Sequence, residues 1–546
     1  MDKKNFIIGI TCLFAAFTLF LNQEKQLREN LNQTAVTSSN KPEAPTTAPD
    51  QTPSRVHYFQ PTISAAKILT LENDVIRVNF SDVGGAIQSI ELKHYCADQN
   101  KETPYLFNKN ATIPALMLAW NSKTPITNSF AVTEKTENFI QFSTTLSDGT
   151  TIVRGYRLEK SDASNPYIIK NEFSVQQSQL THDHIFLHLG MMPDTPGDKY
   201  LEYLNFSAFD GKKADFKRIA DFEPSSGFLG FGKHDGHPYL QGNDSYIWGA
   251  LKNQFFVAIL TPKTPADGYI TFPKKQGKQN TIEGILQFNL NSTHTRITSD
   301  YYVGPKDFIL LDKMGKSQDQ LMQFGFFGAV SKLLLMSMRG IHSFVPNWGW
   351  TIIVLTIIIK LLLWPITQAQ LRSSKKMASI QEPLKKIREK YKSNPQKLQM
   401  ETMKLFKENR VNPAAGCLPV FIQIPIFIGL YYMLRTSSEI RFQSFLWIQD
   451  LSVPDTIGFI GSFPINILPL IMGITMFVQM KITPTPSMDG MQQKVIMWMP
   501  FIFLIFCYSF PAALVLYWTV QNLFTIFQQW LTNRSLKKVQ TTTLNQ

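Results

Sequence analysis

One lysine stands inside a run that otherwise carries no charge. Lys360 lies in Thr351-Ile-Ile-Val-Leu-Thr-Ile-Ile-Ile-Lys-Leu-Leu-Leu-Trp-Pro365. A lysine at the centre of a membrane-crossing helix costs about 2.5–3.5 kcal/mol, so such residues face a watery cavity or a partner. Its long stem also allows it to snorkel towards headgroups, and Arg372 is close enough in sequence to keep that reading open. Thr356 sits four residues earlier, on the same helical face. Other apolar windows offer Gln423, Thr475, Gln479, Thr519, Gln521 and Asn522, but no Asp or Glu. A proton or cation pathway normally carries a carboxylate, whereas an unpaired cation is free to receive an acidic group from elsewhere. Each amide taken singly is explained by hydrogen bonding between helices.

Other chemistry finds little support. His182, His184 and His188 alternate onto one face of a strand, a pattern open to metal binding, but no fourth donor is identifiable and a solvent-facing strand needs no ligand. The four cysteines, Cys12, Cys96, Cys417 and Cys507, lie far apart without a CxxC pair, so neither a zinc site nor a disulfide framework is expected. No nucleophile with an ordered base and no phosphate-cradling loop is present. The expectation is a protein that is not an enzyme, with no metal and no cofactor.

Membrane spans must position Lys360. A span needs about 20 apolar residues to cross about 30 Å of hydrocarbon. Uncharged windows of 19, 24, 25 and 39 residues lie between Lys4 and Glu24, Arg410 and Arg435, Asp455 and Lys481, and Lys494 and Arg534, and a further one runs from Trp348 to Leu371 around Lys360. Thirty-nine helical residues would extend about 58 Å, so the longest holds two spans, with Ser509-Phe-Pro511 as the turn. Six spans are predicted: an uncleaved anchor at 1–23, then 347–371, 412–435, 464–481, 495–509 and 511–531. With the N-terminus inside, the inner segments carry 19 Lys/Arg against 6 acids, which accounts for the whole net charge of +13. Residues 22–325 hold 30 basic and 32 acidic side chains, so the high isoelectric point reports topology rather than DNA binding.

Outside the membrane, 24–62 is rich in Pro, Thr, Ser, Asn and Gln and reads as a tether. Over 63–315, short alternating runs such as Asp74-Val-Ile-Arg-Val-Asn-Phe80 predict one large antiparallel β-sandwich. The segment 316–346 contains the apolar stretch Phe324–Met338, too short to span and suited to an amphipathic helix lying on the outer surface. Met377, Ile380, Leu384, Ile387 and Tyr391 repeat at coiled-coil spacing, so 372–411 is predicted to be a cytoplasmic helical hairpin. The loops 436–463 (outer) and 482–494 (inner) and a short basic tail at 532–546 complete the chain.

Asn412-Pro-Ala-Ala-Gly-Cys-Leu-Pro-Val-Phe-Ile-Gln-Ile-Pro-Ile-Phe-Ile-Gly-Leu-Tyr-Tyr432, Leu446-Trp-Ile-Gln-Asp-Leu-Ser452, Met491-Gln-Gln-Lys494, Phe510-Pro-Ala-Ala-Leu-Val-Leu-Tyr-Trp518 and Tyr302-Val-Gly-Pro-Lys-Asp307 resemble, in order and along the whole chain, the YidC-type membrane protein insertases of Gram-negative bacteria. The resemblance implies a polytopic α-helical protein of the inner membrane, with five core helices around a hydrophilic groove and a periplasmic β-supersandwich. Both termini would lie in the cytoplasm. The family's groove cation matches Lys360, a position usually Arg; Thr356 and Trp518 match groove positions, and Ile424-Pro425 matches a substrate-contacting part of the third span. The candidate groove is therefore Lys360, Thr356, Gln423, Ile424, Pro425, Tyr517 and Trp518. The implied activity is insertion and folding of nascent membrane proteins. Substrate chains, the Sec translocon, ribosomes and membrane lipids are the implied partners. A transporter or channel with a solute-binding outer domain is the alternative.

Overall fold

The structure is a computed structural model and describes residues 67–544 apart from 110, 123, 161–163, 196–200, 225–234, 278, 410–417 and 483–489. The expected anchor and tether, the start of the third span and most of the 482–494 loop lie outside the described residues.

Alternating burial along the strands builds two opposed sheets. In Thr151–Leu158, Ile152, Arg154, Tyr156 and Leu158 point inward while their neighbours do not. Nine antiparallel strands run, in spatial order, from Ala214–Arg218 through Asn205–Phe209, Trp248–Lys252, Phe256–Pro262, His294–Pro305, Ile168–Gln176, Thr151–Leu158 and Phe139–Thr145 to Ala131–Lys135. A six-stranded sheet centred on Gln279–Asn289 and His184–Pro193 faces it. Their contact is close: a Cβ at Gly284 of the smaller sheet would meet the Phe206 ring of the larger at 2.6 Å, and one at Gly249 would meet Leu286 at 2.8 Å. A four-stranded sheet over Ile68–Phe107 completes the domain. The predicted sandwich is therefore present, with its last strand ending at Pro305.

Asp307 then caps helix α1 (Phe308–Lys313), its carboxylate accepting from the Ile309 and Leu310 amides. Helix α2 (Gly328–His342) corresponds to the expected amphipathic segment, displaced by four residues towards the C-terminus. It packs on α7 (Leu418–Thr436), where Ser331 Oγ donates to the Gly429 carbonyl at 3.0 Å.

The segment predicted as the second span, 347–371, falls on two helices, α3 (Trp348–Leu362) and α4 (Trp364–Ser379), bent by 60°. Pro365 in the first turn of α4 is the physical reason, because its ring excludes an amide hydrogen bond and crowds the preceding turn. Helix α4 thus runs on into the region expected to be the hairpin, which continues as α5 (Gln381–Lys390) and α6 (Pro395–Glu408). Helices α8 (Ile467–Ile482), α9 (Gly490–Cys507) and α10 (Ala512–Leu544) follow, α10 passing the expected boundary at 531 without interruption. Among the described residues no single helix is long and apolar enough to cross a membrane, while α3 and α4 together meet that test by length and composition.

The sandwich is fastened to the helical region mainly by cations, Arg441 and Lys306 buried and Arg339 partly so. Arg339 on α2 pairs with Asp307 at 2.7 Å and, through Nε, with Glu439 beyond α7 at 2.9 Å. Arg441 donates to the Cys96 carbonyl at 3.0 Å and lies over the Phe255 and Phe256 rings. Gln254 donates to the Arg435 carbonyl at 2.8 Å, and Lys306 donates to that of Gln254 at 3.0 Å.

Candidate functional site

Lys360 is the last turn's only cation on α3, and its side chain turns into the helical assembly. It is 7% exposed, and its ammonium donates to Thr525 Oγ1 on α10 at 3.1 Å. Among the described residues no carboxylate pairs with it. Ile352, Thr356 and Lys360 share the face of α3 that packs on α10. The Thr356 hydroxyl is taken up by its own helix, donating to the Ile352 carbonyl at 2.7 Å, so it adds volume and polarity without a bond to another helix.

A ladder of polar side chains continues from Thr525 along α10. Thr525 Oγ1 donates to the Gln521 carbonyl at 2.8 Å; the Gln521 side chain accepts from Gln423 on α7 at 3.0 Å; and Gln423 also contacts the Tyr517 hydroxyl at 2.6 Å. In the other direction Gln528 donates to Thr367 on α4 at 2.8 Å. Tyr517, Gln521, Thr525 and Gln528 recur at four, four and three residues, which keeps them on one face of α10. A second contact, Asn522 to Thr475 on α8 at 3.2 Å, ties α10 to its other neighbour.

Of the seven expected groove residues, Lys360, Gln423 and Tyr517 belong to this ladder, and Thr356 is buried on the same face of α3 as Lys360. Ile424 does not belong: it is 42% exposed, on the outside of α7. Trp518 is turned to aromatic neighbours, Phe427 at 4.7 Å and Phe503 at 5.1 Å between ring centroids. Pro425 lies inside α7, between Gln423 and Phe427, without breaking the helix. Thr525, Thr367 and Gln528 escaped the sequence reading, although the helical phase set by Tyr517 and Gln521 points to Thr525.

The histidine triplet is dispersed. His182 stacks on Trp120 with 4.0 Å between ring centroids, His184 Nδ1 meets Asn289 at 2.7 Å, and His188 is buried where the Leu116–Met117 backbone pairs with its own. Burial pushes the His188 imidazole down to about 4. Among the described residues no cluster of His, Cys, Asp or Glu could hold a metal ion.

Residues 68–336 match the YidC periplasmic domain and residues 340–540 match the 60Kd inner membrane protein family. The membrane protein insertase YidC of Actinobacillus succinogenes is 30% identical over 564 residues, covering 98% of each chain. That of Cupriavidus necator is 34% identical over 402 residues, covering 72% of this chain and 68% of the relative. A solved structure of an active YidC insertase is 17% identical, covers 85% of this chain and 94% of that chain, and superposes with a TM-score of 0.34. With a relative 30% identical over 98% of its length and both family models matched, the chain belongs to the YidC family of inner membrane proteins and carries that family's periplasmic domain.

Proposed function

We propose that the protein is a membrane protein insertase that works without covalent chemistry. A nascent membrane protein presents a polar tail and an apolar segment. Lys360 attracts acidic groups of the tail into the polar ladder formed by α3, α7 and α10, which lowers the cost of moving that tail past hydrocarbon. The apolar segment passes along the exposed outer side of α7, where Ile424 stands, into lipid. Its burial at about 25 cal/mol per Å² drives the step, aided by the membrane potential at about 2.3 kcal/mol per charge per 100 mV. In this reading six spans place both termini and the α5–α6 hairpin in the cytoplasm, and the Sec translocon, ribosomes and lipids are partners alongside substrate chains.

The observation that carries the proposal is a buried lysine held by a hydroxyl and paired with no carboxylate among the described residues. Such a cation keeps its long-range attraction available for a visiting anion, whereas a paired one would be neutralised. The transporter alternative gains nothing from the relatives named above, each of which is called an insertase.

The test places a photo-crosslinker at Ile424 or Gln423 and stalls synthesis of a single-span membrane protein on the ribosome. Ile424 should crosslink to the apolar segment and Gln423 to the tail that precedes it. Absence of both crosslinks, with Val132 of the sandwich as background, would refute the path.

A further inference from the structure

After Asp455 the chain forms a β-hairpin, strands Thr456–Ile460 and Phe463–Asn466, and then enters α8. Its base is pinned. Asn466 donates through Nδ2 to the Tyr508 carbonyl at 2.7 Å, Tyr508 donates to the Pro464 carbonyl at 2.7 Å, and the Phe463 and Tyr508 rings stack at 5.3 Å. Beyond that stacking contact the space at the hairpin's glycines is open: a Cβ added at Gly458 or Gly461 would have no neighbour within 4 Å. Yet the tip is apolar. Ile457, Phe459, Ile460 and Phe463 are 54, 69, 73 and 59% exposed.

Pro464 and the register shift between Thr456 and Gly458 blunt the hairpin's edges, but apolar side chains this exposed in water are normally accompanied by charge. This hairpin carries none, and no charged residue follows it until Lys481. The uncharged surface instead continues directly into α8, where Leu470 and Ile474 are 43 and 64% exposed within the inner-membrane family region. Continuity with that membrane-facing surface decides the occupant. We propose that the 456–466 hairpin is a second interfacial anchor whose tip, Phe459 to Phe463, is buried in the acyl region of the periplasmic leaflet. Five residues of strand extend about 16 Å, enough to leave the base at headgroup level and seat the tip about 5–10 Å deep. At the base, Asp455 stays on the polar side: its carboxylate accepts from Trp447 Nε1 at 3.1 Å and from the Leu468 amide at 2.6 Å. The proposal rests on the family's place in the inner membrane and not on the groove.

The test uses the full-length chain with C12S, C96S, C417S and C507A, reconstituted in phosphatidylethanolamine and phosphatidylglycerol vesicles. A polarity-sensitive fluorophore is attached through F459C or, separately, I460C, with V132C on the exposed strand Ala131–Lys135 as the water-facing control. At about 5–10 Å depth, roughly half the emission of the hairpin probes should be lost to spin labels carried on lipid acyl chains and little to aqueous iodide. V132C should show the reverse. Iodide quenching of F459C and I460C as strong as that of V132C would overturn the proposal. Protection from both quenchers would overturn it in favour of a protein partner, which a much lower protein-to-lipid ratio would identify as a second copy if the protection then disappeared.

Discussion

Replacing Lys360 separates attraction of substrate from mere anchoring. The ammonium is 7% exposed and meets Thr525 at 3.1 Å, so a substrate carboxylate reaching it would interact through a medium between water and protein interior. At 4 Å the attraction is about 1 kcal/mol in water and about 4 kcal/mol at an effective dielectric constant of 20. Every 1.4 kcal/mol is tenfold, so K360A should slow insertion of a substrate with one acidic tail residue by roughly five-fold to several hundred-fold. K360R keeps the charge and should remain active. K360E turns attraction into repulsion and should be worst, with a loss that grows with the number of acidic residues in the tail. The assay is protease accessibility of the tails of two otherwise identical substrates, one acidic and one neutral, in cells depleted of the wild-type protein. Were the lysine only an anchor, K360A would be neutral or better, since it removes an embedded charge worth a few kcal/mol. Equal insertion of both substrates by K360A, at wild-type rate, refutes the reasoning.

Three further outcomes are expected. R339M leaves Asp307 and Glu439 unpaired; buried breaks of this kind cost about 3–5 kcal/mol, and with these side chains about one-fifth exposed a loss of about 1–3 kcal/mol is expected, read as a lower thermal midpoint in detergent that R339K partly restores. His188 is held neutral, with its folded value of about 4 below the ordinary 6.5, so the unfolded chain binds the extra proton between those values; about 3 kcal/mol of stability present above pH 6.5 is lost as pH falls towards 4, and an H188F variant that kept the wild-type acid dependence of unfolding would contradict this. Q423L should impair insertion of polar tails more than T525V, because Gln423 bonds both Tyr517 and Gln521 whereas Thr525 gives Lys360 one acceptor; equal insertion of a long polar tail by Q423L and wild type would sink this.

The features legible in the sequence were those with a local signature. Alternation over five to ten residues is enough to declare a half-buried strand, and a single charge in an apolar run declares itself, so the sandwich and Lys360 were both accessible. The bend at Leu363 was written in Pro365, but hydropathy windows see composition and not a missing amide hydrogen. His188 looked solvent-facing because alternation cannot reveal that from Leu187 to Met192 both faces of its strand are buried. The docking of the sandwich pairs residues as distant as Cys96 and Arg441, for which one sequence offers no pattern.

The ladder on α10 has a further geometric consequence. From Tyr517 to Gln528 it covers 12 residues, a rise of about 16 Å at 1.5 Å per step, against about 30 Å of hydrocarbon. The preceding turn, Ala512 to Leu516, is buried and wholly apolar. A channel would need polar lining over the full thickness, because a permeating ion finds no replacement for its hydration shell along an apolar stretch. A polar path of half that depth, ending against packed apolar side chains, instead suits a cavity entered from one side. Under the proposed function a tail would be held there part-way while its apolar neighbour leaves sideways into lipid, so the α10 face that receives Lys360 fits insertion better than conduction.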